Sequence, residues 1–189
     1  LNWLKENFDN VSIAEMDLSE TFDSFKDSAP TSENKDLEDL SFANVRSRLR
    51  MVALYHYAQI NGYLVVGTGN KIEDFGIGFY TKYGDGGVDI NPLADLWKSE
   101  VYKIARELKL PQRIVDAAPT DGLFGDSRTD EEQIGATYDE LEWAMHAFDQ
   151  GKNIDNFVGR RKEVMKIFTQ RHRANQHKMK PIPYFRVEK

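Results

Sequence analysis

YLVVGTGN, Tyr63 to Asn70, decides the fold class. A short apolar run rich in β-branched residues stops abruptly at Gly-Thr-Gly-Asn, the pattern of a buried strand that ends in a loop. In open α/β sheets ligands lie beyond the carboxyl ends of such strands, so this turn is also the first place to look for chemistry. Upstream, Val45, Leu49, Val52, Ala53 and His56 fall on one face of a helix predicted from about Ser41, and Gly62 follows where a left-handed cap is common. Earlier still, VSIAEMDLS (Val11 to Ser19) alternates apolar and polar residues and predicts a strand, with a short helix and a loop over residues 20–40.

Downstream, the glycines of Phe75 to Asp95 make a long helix there improbable on propensity, while the interleaved Phe79, Tyr80 and Tyr83 argue against disorder. A loop of that length in a compact domain is usually functional. Trp97, Val101, Ile104, Ala105 and Leu108 predict the next helix, stopped by Pro111. Thr129 and Glu132 fit a capping-box start, Tyr138 to Phe148 reads as helix, and a last helix is expected over about Asn156 to Arg173. Strands separated by helices predict a single α/β domain over residues 1–189 with a mainly parallel sheet flanked by helices.

Composition narrows the function. A net charge of −6 disfavours a non-specific nucleic-acid binder, whose affinity comes from Lys and Arg releasing counterions. The absence of cysteine excludes a thiolate zinc site and a cysteine nucleophile within these residues, and is compatible with a cytoplasmic location. No apolar run approaches the ~18 residues of a membrane span. The opening residues LNWLKENFDN have neither the basic nor the apolar region of a signal peptide.

The charged residues of the central stretch suggest a chemistry. Glu73, Asp74, Lys82, Asp85, Asp89 and Lys98 lie in or beside the Gly-rich loop. Carboxylates with lysines suit a phosphate ester and a magnesium ion, because hard oxygens hold the metal and ammonium groups offset phosphate charge. A solvated surface loop with charges of both signs is the competing reading, since no G-x-x-x-x-G-K-[ST] loop is present.

Six segments change that balance: ANVRSRLRM (Ala43 to Met51), LVVGTGNKIED (Leu64 to Asp74), GFYTKYGDGGVDINPLADLWKSEVY (Gly78 to Tyr102), APTDGLF (Ala118 to Phe124), TDEEQIGATYDELE (Thr129 to Glu142) and HKMKP (His177 to Pro181). In order and nearly in spacing they resemble the NAD synthetase family over roughly residues 10 to 185. The resemblance implies an adenine-nucleotide α-hydrolase-like (ATP-pyrophosphatase) fold, a homodimer, and an ammonia-dependent, magnesium-dependent ligase. In that reaction the carboxylate of deamido-NAD attacks the α-phosphate of ATP, pyrophosphate leaves, and ammonia displaces AMP.

Carried over to matching positions, the resemblance implies that Thr68, Lys98 and Thr120 contact ATP and that Glu73 holds the metal. It further implies that Arg48, Lys82, Asp89, His177 and Lys178 contact deamido-NAD. Bland alternatives remain: Arg48 could pair with acidic neighbours, Thr120 could stabilise its own loop, and His177 could be a tail residue.

This chain departs from the family pattern in three places. The Glu73–Lys82 spacing is one residue longer than the commoner form, which makes Asp74 a rival metal ligand. PTDGLF stands where many members have S/T-A-D-L. The S-G-G-x-D-S loop, which holds pyrophosphate on backbone N–H groups and supplies the second metal-binding Asp, does not occur in these residues. The expectation is a longer natural protein, with the 189 residues alone forming no AMP. Free ammonia is favoured over glutamine because no amidase domain is present here. The competing functions are another ATP-pyrophosphatase, such as a GMP-synthetase-like ligase, and a non-catalytic nucleotide-binding or dimerisation module.

Overall fold

The computed structural model describes residues 1–187. Among the described residues eight α-helices follow one another: α1 (Asn2–Asn7), α2 (Ser19–Ser28), α3 (Lys35–Asn61), α4 (Lys98–Glu107), α5 (Gln112–Val115), α6 (Asp130–Ile134), α7 (Tyr138–Asp149) and α8 (Gly159–Met179). A π-helix (Ile72–Ile77) lies between α3 and α4, and a 3-10 turn (Ile154–Asn156) precedes α8. No helix among the described residues is long and apolar enough to cross a membrane.

The core forms where α7, α8 and the π-helix meet. Leu141, Ala144 and Met145 of α7 pack with Val164, Met165 and Phe168 of α8 and with Ile72 and Ile77. The spacing of those residues puts each set on one helical face, and their burial supplies most of the apolar stabilisation at about 25 cal/mol per Å². Thr129–Glu132 and Thr137–Glu140 both form reciprocal capping boxes that start α6 and α7, the first as read from the sequence. At the other end of the π-helix, Gly78 takes φ +63° and lies against Asn175 of α8, so both its backbone and its surroundings require glycine.

Between Glu73 and Lys82 the chain makes a π-turn. The Gly78 N–H reaches back to the Glu73 carbonyl, and the Phe79 N–H donates to the same oxygen at 2.9 Å. That widened turn takes one more residue than an α-turn would.

Several sequence expectations are corrected. The predicted strand at Val11 to Ser19 has no ladder pairing among the described residues and leads into α2 at Ser19; a lone strand has nowhere to place its backbone donors. The mainly parallel sheet is represented among the described residues by one parallel bridge, Val66 to Ile90, with Gly67 N–H to Ile90 O at 2.7 Å and Asp89 N–H to Val65 O at 2.9 Å. Helix α3 starts earlier than Ser41, at Lys35, where the Asn34 side chain caps Leu37 N–H. It also buries a different face, Ala43, Ser47 and Ala58, while Val52 and His56 of the predicted stripe are exposed. Helix α8 runs on past Arg173 to Met179 and carries His177 and Lys178 in its last turn.

Candidate active site

Glu73 is placed by its own turn. The Asn70 side chain accepts from Glu73 N–H at 3.2 Å, and Glu73 Oε2 accepts from Asn70 N–H at 3.2 Å, the reciprocal pattern of a capping box. The other oxygen, Oε1, accepts from the Tyr138 hydroxyl at 2.6 Å and from Lys98 Nζ at 3.2 Å. The same hydroxyl lies 3.3 Å from Asp130 Oδ2, and Lys98 sits over the Tyr138 ring at 4.6 Å. Burial and the neighbouring Glu73 and Asp130 carboxylates push the Tyr138 pKa up, so the hydroxyl remains a donor. Burial, with Asp121 and Glu73 nearby, also raises the Asp130 pKa, and its Oδ1 has no hydrogen-bond partner among the described residues.

Asp74 points elsewhere. Its carboxylate accepts from Asn91 and packs against Gly69, where any Cβ would collide with it. Burial pushes its pKa up to about 6, reinforced by the charges of Glu73 and Asp85. The two rival carboxylates therefore face different partners, and no group of three potential metal-ligating side chains converges among the described residues. Glu73 fits a magnesium ion better than Asp74. Magnesium takes one or two carboxylates and completes its octahedron with water and phosphate oxygens. Glu73 Oε1 lies beside Lys98, and Oε2 accepts from Asn70 N–H with a lone pair to spare.

Two adjoining clefts hold the other candidates, and none of Glu73, Lys98, Tyr138 and Asp130 lines either. The larger, of about 550 Å³, brings together Arg48, Lys82, His177 and Lys178, four of the five residues implied for deamido-NAD. Its walls are laced together: Arg48 Nε donates to Lys82 O at 3.3 Å, Lys82 Nζ to His177 O at 2.6 Å, and Lys178 Nζ to Gly78 O and Tyr80 O at 2.9 and 2.6 Å. Burial lowers the Lys178 pKa, but its two carbonyl partners leave it well placed as a cation. The smaller cleft, about 270 Å³, holds Thr68 at the end of the Val66 strand, and Asp85, Asp121 and Leu123 line both clefts.

Four of the implied residues line neither cleft: Glu73, Lys98, Asp89 and Thr120. The Asp89 carboxylate accepts from Val65 N–H at 2.8 Å and from the Tyr55 hydroxyl at 3.2 Å, fastening the strand pair. Thr120 is exposed, and its hydroxyl braces the 118–128 loop through Arg128 O at 3.1 Å and Gly122 N–H at 3.3 Å.

Sequence reasoning assigned no site role to Tyr138 or Asp130, and named Asp85 only among the charges of the Gly-rich loop. Asp85 Oδ1 accepts from the Ser47 hydroxyl at 2.7 Å and from Thr81 N–H at 2.9 Å, tying the Gly-rich loop to α3. The signal for Tyr138 was present, because the Thr137-x-x-Glu140 capping box marks it as the first residue of α7.

The likeness to known proteins is extensive. The NAD synthase family model matches residues 4–182. An NH3-dependent NAD(+) synthetase of Mesoplasma florum is 40% identical over 168 residues, covering 89% of this chain and 64% of the relative. One from Syntrophomonas wolfei is 46% identical over 115 residues, covering 61% and 45%. Among solved structures, NMN synthetase from Francisella tularensis superposes with a TM-score of 0.71 at 33% identity, over 89% of this chain and 63% of the other. The NH3-dependent NAD synthetase of Campylobacter jejuni, 24% identical with a TM-score of 0.64 over 90% and 64%, shares the fold. The chain thus spans just under two-thirds of the Mesoplasma relative and of both solved neighbours. With the match running from residue 4 to residue 182, the chain belongs to the NAD synthase family.

Proposed function

We propose that these residues form most of the active site of an ATP-consuming ligase that amidates deamido-NAD with ammonia, giving NAD, AMP and pyrophosphate. The observation that carries this reading is the convergence of Arg48, Lys82, His177 and Lys178 in one cleft next to the Thr68 cleft. A concave site lined by that many cations suits a phosphate-bearing substrate.

In this reading the pyridine carboxylate attacks the α-phosphate of ATP. The bond to pyrophosphate breaks and an acyl adenylate forms. Ammonia adds to the acyl carbon, AMP leaves with the electron pair, and the excess proton passes to solvent. Lys98 offsets phosphate charge, and Thr68 and Thr120 contact the nucleotide. Arg48, Lys82, His177 and Lys178 orient deamido-NAD. Asp89 acts behind them by holding the strand pair. Glu73, rather than Asp74, holds magnesium, which when bound stabilises negative charge on phosphate oxygens.

The protein works as a single domain of an adenine-nucleotide α-hydrolase-like fold. The exposed Leu64, Val66 and Ile90 around the one parallel bridge support pairing with further strands of a parallel sheet. The exposed apolar residues of α3 support a homodimer. A second reading, amidation of the deamido mononucleotide, is favoured by the likeness to the Francisella NMN synthetase.

The test is an ATP-to-AMP assay on the protein at its full natural length with magnesium and ammonium. AMP and NAD formed only with deamido-NAD support the first reading, and turnover of the mononucleotide alone supports the second. No AMP with either substrate overturns both.

A further inference from the structure

We infer that Tyr138 is a positioning residue that holds the Glu73 carboxylate in place when Lys98 turns to bound phosphate. The inference rests on Glu73 being the metal ligand of the reading above. Tyr138 is 4% exposed, so it does not touch a substrate itself. Its hydroxyl has one proton and two carboxylate neighbours. The 2.6 Å distance to Glu73 Oε1 is that of a charge-assisted O–H···O⁻ bond, whereas Asp130 Oδ2 lies at 3.3 Å, so the proton goes to Glu73.

Three donors hold Glu73: Asn70 N–H on Oε2, and Tyr138 and Lys98 on Oε1. Lys98 is also the cation assigned to the ATP phosphates, and each N–H it turns to a phosphate oxygen is withdrawn from the carboxylate. Tyr138 is then the side-chain donor that stays on Oε1. Oε2 accepts from Asn70 N–H and keeps a further lone pair for a metal. The position of Tyr138 also links separate parts of the site. It starts α7, it lies beneath Lys98 of α4, and it borders Asp130, whose N–H bonds Pro119 O in the loop that carries Thr120. Groups that orient a metal ligand from behind commonly change metal affinity by 10- to 100-fold when removed.

The experiment measures Mn²⁺ binding by paramagnetic resonance, with ATP present, on the protein at its full natural length and on two variants. Tyr138→Phe keeps the ring, its packing and its face toward Lys98, and removes only the hydroxyl. The expected result is Mn²⁺ affinity about tenfold weaker, with metal-free ATP binding within about twofold of the parent. Glu73→Ala should lose most of the Mn²⁺ binding. If Glu73→Ala weakens the metal and a folded Tyr138→Phe does not, the positioning role is overturned and the metal reading stands. If neither variant weakens it, Glu73 is not the ligand and both fall. Should Tyr138→Phe fail to fold, Glu73→Asp carries the test, because it keeps the charge but withdraws it from the hydroxyl; parental affinity there overturns the inference.

Discussion

Two regions of this molecule use the same kinds of apolar side chain and treat them oppositely. Between the π-helix, α7 and α8, Ile72, Ile77, Leu141, Met165 and Phe168 are fully buried. Along α3 and the strand after it, Val52, Leu54, Ile60, Leu64 and Val66 are each more than half exposed. Residue type does not separate the two groups; partners do. In the first region the π-helix and the distant α7 and α8 bury one another, with His172 Nδ1 and Asn175 Nδ2 tying α8 to the carbonyls of Gly76 and Ile77. In the second, the described residues supply no covering layer, although the apolar pattern is as strong. The candidate site lies on the seam: Glu73 and Lys178 hang from the packed region, Arg48 and Thr68 from the open one.

The largest test of this contrast is Phe168→Ala. Removing a fully buried ring next to Met145, Phe148 and His172 should cost about 3–5 kcal/mol, read by urea unfolding. A loss below about 1 kcal/mol would mean the packed region is less cohesive than its geometry.

The seam itself titrates. Asp74 has a folded-state pKa near 6, above its ordinary value of 3.8. The folded protein therefore binds more protons than the unfolded chain across that window. Its contribution to stability is present below pH 3.8 and is lost as pH rises through 6. Asp74→Asn should abolish that slope and make the protein roughly 1–2 kcal/mol more stable than the parent at pH 7, after discounting for partial exposure. Unfolding in EDTA at several pH values between 4 and 7 reads it, and parallel parent and variant curves would contradict it.

Smaller effects belong to the open region. Gly62 closes α3 at φ +68° with nothing near its missing Cβ, so Gly62→Ala should cost about 1 kcal/mol from backbone strain alone. Ile60→Ala should change stability by no more than about 0.5 kcal/mol, as for an exposed position. A loss well beyond that, growing with protein concentration, would show that this face of α3 is covered in solution.

Local signals in the sequence located most of the helices. The Thr129 capping box and the Trp97-to-Leu108 stripe each lie where the structure begins or runs a helix, because caps and periodicity act within one or two turns. The Gly62 cap likewise closes α3, in left-handed backbone. The cations of the larger cleft were legible as motif positions, and Arg48, Lys82, His177 and Lys178 line one cleft. The Val11–Ser19 strand failed because alternation describes what a strand would bury, and pairing needs a neighbour that no local pattern supplies. The Val45–His56 stripe lies on α3 as read, but Val52 and His56 stay exposed because no neighbour among the described residues covers them, while Val45, Leu49 and Ala53 are half-buried.

By itself the sequence determined the family, the order of the helices, and the identity of the charged groups that could meet phosphate, all properties carried by residue type and short-range spacing. Only the tertiary structure gave Glu73 and Asp74 different partners. Adjacent in sequence and both in the π-helix, they meet different groups, Glu73 Asn70, Tyr138 and Lys98, and Asp74 Asn91 and Gly69. The hydroxyl behind Glu73 comes from 65 residues away, and a contact across that distance is made by packing, not by pattern.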